Sequence, residues 1–120
     1  MAKNILLIED EVFISMLVRQ TLTDNGYNIL DVLRFAEHVM DKLDSLEVKP
    51  DVIVSDIYLA GDMTGIDAAV LVKEKYDIPT IFVSAYSDSA TKEKADAVGY
   101  KAYLTKPINE FELMEEIDKC

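Results

Sequence analysis

The sequence predicts an α/β domain built on a doubly wound, five-stranded parallel sheet in the order 2-1-3-4-5, with helices on both faces. Three observations lead there. Short apolar runs alternate with longer segments of helical period, glycines and prolines punctuate the joins, and the runs end at charged or hydroxyl-bearing side chains. The organising stretch is Asp51-Val52-Ile53-Val54-Ser55-Asp56, four consecutive β-compatible residues that run into an acid and then into a loop carrying Gly61 and Gly65. Ile5-Leu6-Leu7-Ile8 likewise ends in Glu9-Asp10-Glu11, Thr80-Ile81-Phe82-Val83 in Ser84, and Ala102-Tyr103-Leu104-Thr105 in Lys106-Pro107. Alternation of this kind implies right-handed parallel crossovers, which bring those side chains to one rim, where open α/β sheets bind ligands.

Taken in order, Glu11 to Asn25 predicts a first helix closed by Gly26. Its apolar residues Val12, Phe13, Ile14, Met16, Leu17, Val18 and Leu22 cover most of the circumference at about 100° per residue. One side packs on the sheet; the rest is either buried too or awaits a partner. Tyr27 to Leu33 is the second strand. Arg34 to Leu46 follows as an amphipathic helix without a good capping residue, with Ala36, Val39, Met40 and Leu43 inward and the only histidine, His38, facing water. Lys49-Pro50 breaks the chain before the central strand. Residues 57–65 form a loop, and Ile66 to Tyr76 a helix with Ile66, Ala69, Val70 and the stem of Lys73 inward. Ile78-Pro79 opens the fourth strand. The helix over Asp88 to Val98 offers the core only Ala90, Ala95, Ala97 and Val98, so it is expected to be the most mobile, and Gly99 ends it. Asn109-Glu110-Phe111-Glu112 has capping-box spacing ahead of a last helix carrying Phe111, Leu113, Met114 and Ile117.

Composition bounds the function. At 120 residues, half of them hydrophobic, the chain is expected to be one domain over residues 1–120, with no linker, repeat or low-complexity segment. Twenty-three acids against twelve bases give a net charge of −11, which repels nucleic-acid phosphates, so direct nucleic-acid binding is not expected. The single cysteine, Cys120, points to a reducing compartment, and neither a membrane span nor a signal-peptide core precedes the first strand; the expected location is cytoplasmic.

The chemistry follows from where the strands end. Asp10 and Asp56 border the crevice where the strand order reverses, and neighbouring carboxylates repel until a proton or a divalent cation relieves them. A small all-oxygen cluster suits Mg²⁺, and no second histidine or cysteine exists to complete a zinc site. A metal there would neutralise an incoming phosphoryl group while the Asp56 carboxylate attacks phosphorus in line. Lys106 would pair with the anionic oxygens, and Ser84 would donate a hydroxyl hydrogen bond to one of them.

Over essentially all 120 residues, these features resemble the receiver domain of two-component response regulators, a flavodoxin-like fold. The resemblance rests on Ile5 to Glu11 as first strand and acidic pocket, with Glu9-Asp10 in place of the commoner Asp-Asp. It rests further on Asp56 at the phosphoacceptor position, Ser84 at the switch hydroxyl, Tyr103 at the switch aromatic, and Lys106-Pro107 at the Lys-Pro pair. It implies that Asp10 and Asp56 bind Mg²⁺ directly, that Tyr58 lends its backbone carbonyl, and that Glu9 acts through water. It also implies a phosphohistidine donor on a histidine kinase or phosphotransfer domain, docking near the first helix and the loop after Lys106, and a cis bond at Lys106-Pro107. Phosphorylation would draw Ser84 toward the phosphoryl group and turn Tyr103 inward, repacking the face of the fourth helix, fifth strand and fifth helix for an output domain or partner.

Two departures stand out. The 56–65 loop is one residue longer than the commonest family form and carries Ala60 where proline is usual, and the bulky Tyr58 and Tyr86 are expected to shield an acyl phosphate from water. Two rival functions remain: a degenerate receiver that binds partners without phosphorylation, and a Mg²⁺-dependent phosphohydrolase with an aspartyl nucleophile. The second lacks an acid two residues after Asp56, where Tyr58 stands.

Overall fold

The protein, described over residues 2–120 by a computed structural model, alternates five strands with five helices; Met1 lies outside the described residues. The strands are β1 (Asn4–Ile8), β2 (Asn28–Leu33), β3 (Val52–Ser55), β4 (Thr80–Ser84) and β5 (Ala102–Thr105). Between and after them lie α1 (Val12–Asp24), α2 (Val39–Ser45), α3 (Gly65–Lys75), α4 (Ser89–Val98) and α5 (Glu110–Asp118). The sheet order is β2-β1-β3-β4-β5, and every neighbouring pair is parallel.

The pleat divides the core. Ile5 and Leu7 of β1, Val52 and Val54 of β3 and Ile81 and Val83 of β4 face α1 and α5, where Val18, Leu22, Leu113 and Ile117 meet them. Leu6, Ile8 and Ile53 point the other way, onto Val39 and Leu43 of α2 and Ala68 and Val72 of α3. All four residues of β3 are buried, as expected of a central parallel strand covered on both sides. Each such aliphatic side chain contributes roughly 1.5–3 kcal/mol by leaving water. A third cluster, Ile57, Ile66, Ala69, Phe82 and Ala95, sits under α4.

Several local expectations need correcting. The second helical segment is shorter than 34–46: a single 3₁₀ turn, Ala36–His38, precedes α2, and neither start has a side-chain cap. His38 is exposed, edge-on to Phe35. In α3, Val70 and Lys73 face outward; Ala68 and Val72 pack toward α2 and the sheet and Ile66 and Ala69 toward Phe82, and the helix begins at Gly65 on a Thr64–Asp67 capping box. That box was legible as Thr-x-x-Asp. In α4, Ala90 and Ala97 are exposed, Val98 is half-buried, and the buried residues are Thr91 and Ala95. The Asn109 cap is one-sided: its side chain accepts the Glu112 N–H at 3.1 Å with no return bond from Glu112. Phe111 is 81 % exposed rather than part of the core.

Candidate functional site

The parallel strands set five chemically active side chains along one edge. Glu9 and Asp10 follow β1, Asp56 follows β3, Ser84 ends β4 and Lys106 follows β5. Backbone bonds fix these ends: Glu9 N–H donates to the Leu33 carbonyl at 2.9 Å, Asp56 N–H to Ile8 at 3.0 Å and Lys106 N–H to Ser84 at 2.8 Å. Beneath Asp56 the start of α3 comes so close that a Cβ on Gly65 would stand 1.9 Å from the Asp56 carbonyl oxygen. Only glycine admits this approach, which lets Gly65 N–H donate to Ile57 at 2.7 Å.

Carboxylate oxygens of Glu9, Asp10 and Asp56 all lie within 4.8 Å of one another. Lys106 Nζ bridges two of the three, 2.9 Å from Glu9 Oε1 and 2.8 Å from Asp56 Oδ2, with Glu11 further off at 3.7 Å. Asp56 Oδ1 also accepts the Ile57 N–H at 2.7 Å, and Asp10 Oδ2 accepts the Ala60 N–H at 3.0 Å. Burial pushes the Glu9 carboxyl up to about 7; the Lys106 hydrogen bond pulls it down and the Asp56 charge raises it again. Burial disfavours the Lys106 ammonium, but its bonds to Asp56 and Glu9 outweigh that and raise its pKa. Three clustered acids with one lysine, which pairs with only two of them, leave an excess of negative charge in a shielded place. Hard oxygen donors at this density fit a small divalent cation, which would supply the missing positive charge.

Ser84 is fully buried, and its Oγ accepts the Tyr86 N–H at 3.1 Å. Tyr103 is half-buried, edge-on to Phe82 and Tyr100, with its hydroxyl donating to the Tyr86 carbonyl and the Lys92 ammonium 5.2 Å from its ring centroid. Burial raises its phenol pKa. Tyr58 and Tyr86 meet edge to face at 4.7 Å, each roughly half exposed, and the Tyr58 hydroxyl lies 2.8 Å from Thr91 Oγ1 in α4. Thr91 was missed by sequence reading, which saw in this helix only its alanines. The Lys106-Pro107 bond is cis. The site residues expected from the sequence thus lie at the same edge of the sheet, with Glu9 and Asp56 in direct contact with Lys106, Asp10 in the same carboxylate cluster, and Ser84 and Tyr103 on the neighbouring strands β4 and β5.

Next to the acidic cluster, α1 presents Val12, Phe13, Met16 and Leu17, each at least half exposed. An apolar groove of about 260 Å³ runs from this helix to α5, lined among others by Ile14, Leu17, Thr21, Pro107 and Ile108.

Comparison with known proteins gives a consistent picture. A family model for the response regulator receiver domain matches residues 5–118. The transcriptional regulatory protein YvrH of Bacillus subtilis is 37% identical over 95% of the chain and 47% of its own length. The chemotaxis protein CheY of Thermotoga maritima is 28% identical over 99% of the chain and 98% of its own. Among solved structures, the signal receiver domain of a modulated diguanylate cyclase from Desulfovibrio desulfuricans G20 superposes with a TM-score of 0.91 at 27% identity, covering 99% of this chain and 93% of that one. The chain spans less than half the length of several curated relatives it matches.

Proposed function

The chain belongs to the response regulator receiver domain family of two-component systems, and on that premise we propose that it is one receiver domain over residues 1–120 with Asp56 as its phosphoacceptor. The observation that carries the reading is the Lys106 ammonium held between Asp56 and Glu9, with Asp10 alongside. Such a cluster is costly unless it meets a cation and an anion that need it.

In this reading Asp10 and Asp56 would hold Mg²⁺ directly, the Tyr58 carbonyl would be a further ligand, and Glu9 would act through water. The ion supplies charge neutralisation at the transferring phosphoryl group. An Asp56 carboxylate oxygen attacks phosphorus in line; the new P–O bond forms as the P–N bond to the donor imidazole breaks, and the imidazole nitrogen keeps the electron pair. Lys106 moves its pairing from the carboxylate to a phosphoryl oxygen. Ser84, whose Oγ now accepts from Tyr86, donates its hydroxyl proton to another. Turning Tyr103 inward gives up its bond to the Tyr86 carbonyl, which couples the β4–α4 loop to α4, β5 and α5.

The donor is a phosphohistidine on a histidine kinase or phosphotransfer domain. The exposed apolar side chains of α1 and the groove toward Pro107 support docking of such a helical partner beside the acceptor. Downstream lies an output domain or protein partner, and the setting is cytoplasmic; neither membrane nor nucleic acid is a direct target of this domain. No helix among the described residues is long and apolar enough to cross a membrane. The domain is a signalling acceptor rather than an enzyme, catalysing at most its own phosphorylation and dephosphorylation.

The test is incubation with Mg²⁺ and a small acyl phosphate, read by intact mass and peptide mapping. A stoichiometric phosphoryl adduct on Asp56, absent from Asp56→Asn, supports the reading. Multiple turnover would make the protein a phosphohydrolase, and no adduct would make it a phosphorylation-independent interaction module.

A further inference from the structure

The loop joining β3 to α3 is held from two sides, and only one of them belongs to the acidic cluster. On the near side Ala60 N–H donates to Asp10 Oδ2 at 3.0 Å. On the far side stands Glu37, in the 3₁₀ turn that follows β2. Its Oε1 accepts the Met63 N–H at 3.1 Å, and its Oε2 accepts the Asp62 N–H at a longer 3.4 Å. Ala36, which opens this turn, and Val39, which follows it, are fully buried, so the carboxylate reaches out from a fixed base. Between the two acids lies Gly61 at φ +90°, where a Cβ would stand 2.3 Å from Glu37 Oε2. Glycine at 61 therefore serves both the left-handed turn and the room Glu37 occupies.

We propose that Glu37 is a positioning residue for the metal and phosphoryl site: by accepting two amides of the 60–63 segment it fixes the loop that carries the Tyr58 carbonyl and the Ala60 donor to Asp10. This rests on the phosphoacceptor reading above. The start of the loop is held by buried Ile57 and by the Tyr58–Thr91 contact. The 60–63 segment is short of other restraints, since Ala60, Gly61 and Asp62 are exposed and only the flanking Leu59 and Met63 pack against the α2–α3 side of the core. Charged acceptors on backbone N–H groups are the stronger class of hydrogen bond. With Glu37 removed, the segment loses its far anchor, and the Asp10 carboxylate loses a partner held at fixed distance. Glu37 touches neither the ion nor the phosphoryl group; its effect passes through the backbone, as outer groups orient ligands in metal sites generally.

The experiment compares the whole chain with Glu37→Ala and Glu37→Gln by amide hydrogen exchange without metal, by Mg²⁺ titration calorimetry and by urea unfolding. Glu37→Ala should speed exchange at the Asp62 and Met63 amides and weaken Mg²⁺ binding about tenfold, with the unfolding midpoint close to wild type. Glu37→Gln should recover part of both, because one amide oxygen remains to accept the Met63 N–H. Equal exchange in wild type and Glu37→Ala overturns the inference whether or not wild type binds Mg²⁺, and faster exchange with unchanged Mg²⁺ affinity overturns it as well. Failure of wild type itself to take up Mg²⁺ would instead strike the phosphoacceptor reading, leaving the exchange data to decide whether the clamp exists.

Discussion

The two halves of the sheet hold their active side chains by different means. On the β1–β3 side, Glu9, Asp10 and Asp56 follow strands whose apolar residues are at most 3 % exposed, and charge-assisted bonds to Lys106 and to backbone amides fix the carboxylates. On the β4–β5 side, α4 buries only Thr91 and Ala95 completely, and the linking contacts are single hydroxyls: Tyr58 to Thr91, Tyr103 to the Tyr86 carbonyl. Regions with little buried apolar area and few hydrogen bonds open at low free energy. A signalling site needs both kinds of support. On the phosphoacceptor reading proposed above, the acids would have to be in place before the donor arrives, while the Ser84–Tyr103 side would have to change arrangement for the few kcal/mol that one new phosphoryl group can supply.

The largest effect separating the halves should come from Lys106→Met. It removes the cation shared by Glu9 and Asp56 while keeping much of the side-chain volume, and Lys106 is only 14 % exposed. Leaving two shielded carboxylates unpaired should cost about 3 kcal/mol in urea unfolding at pH 7.5 without metal. Added Mg²⁺ should recover part of that, since it replaces the lost charge. A loss under about 0.5 kcal/mol would mean that the acid half is not held electrostatically, and the contrast would collapse.

Next is pH. Glu9 titrates at about 7 in the folded protein against 4.5 ordinarily, so between those values the native state binds more protons than the unfolded chain. Stability of the metal-free protein should therefore fall as pH rises from about 4.5 to 7, by on the order of 2 kcal/mol, and level off above. The elevated Lys106 value acts in the opposite sense, stabilising below the unfolded pKa of 10.5 and losing that contribution only as pH climbs beyond it, outside this window. Saturating Mg²⁺ should flatten the slope, because it holds the cluster ionised. Chemical denaturation at four pH values, with and without the ion, measures it; a metal-free curve rising with pH would show that Glu9 is ionised throughout.

On the other half, Thr91→Val keeps the shape but removes the hydroxyl that meets Tyr58 and Asp88. About 1 kcal/mol should be lost. The loss should appear as faster amide exchange across α4 with the strands unaffected; uniform exchange through the whole chain would deny that α4 opens by itself.

How much of this contrast was legible in the sequence depends on what each half is made of. The acid half was plain, because each apolar run stops at its charged residue and the parallel crossover rule brings the ends together. The switch half was less so. Ile57 looked like loop and is fully buried, and Thr91 looked like a polar surface residue in a weak helix yet bonds to Tyr58 across the loop. Glu37 carried no signal in the sequence, yet it lies in a 3₁₀ turn and reaches loop amides more than twenty positions away. Periodicity reports which face of an element is apolar; it says nothing of a polar side chain whose partner is backbone in another loop. In α3 the small Ala68 and Ala69 and the later Val72 take the face beside Ile66, which leaves Val70 at the edge of that stripe and exposed.

The smallest expected effect concerns the lifetime of the phosphorylated state. Tyr58 and Tyr86 stand edge to face, 4.7 Å apart, where the two halves meet, and each is tied to the switch side: Tyr58 through Thr91, Tyr86 through its carbonyl to Tyr103. On the proposed reading, a water attacking the Asp56 acyl phosphate must arrive opposite the aspartyl oxygen, from the solvent side, and these two rings are expected to stand in its way. Truncating either ring should open that approach while leaving the carboxylates, Lys106 and Ser84 untouched, so phosphoryl uptake should be retained and decay accelerated. Tyr58→Ala and Tyr86→Ala are each expected to shorten the half-life about threefold, under 1 kcal/mol of barrier. The double variant should fall short of the product of the two, because one ring's removal already loosens the other. Decay of the adduct followed by intact mass decides it: unchanged lifetimes would mean that the pair only buttresses α4, and that nothing on the switch half shields the acid half from water.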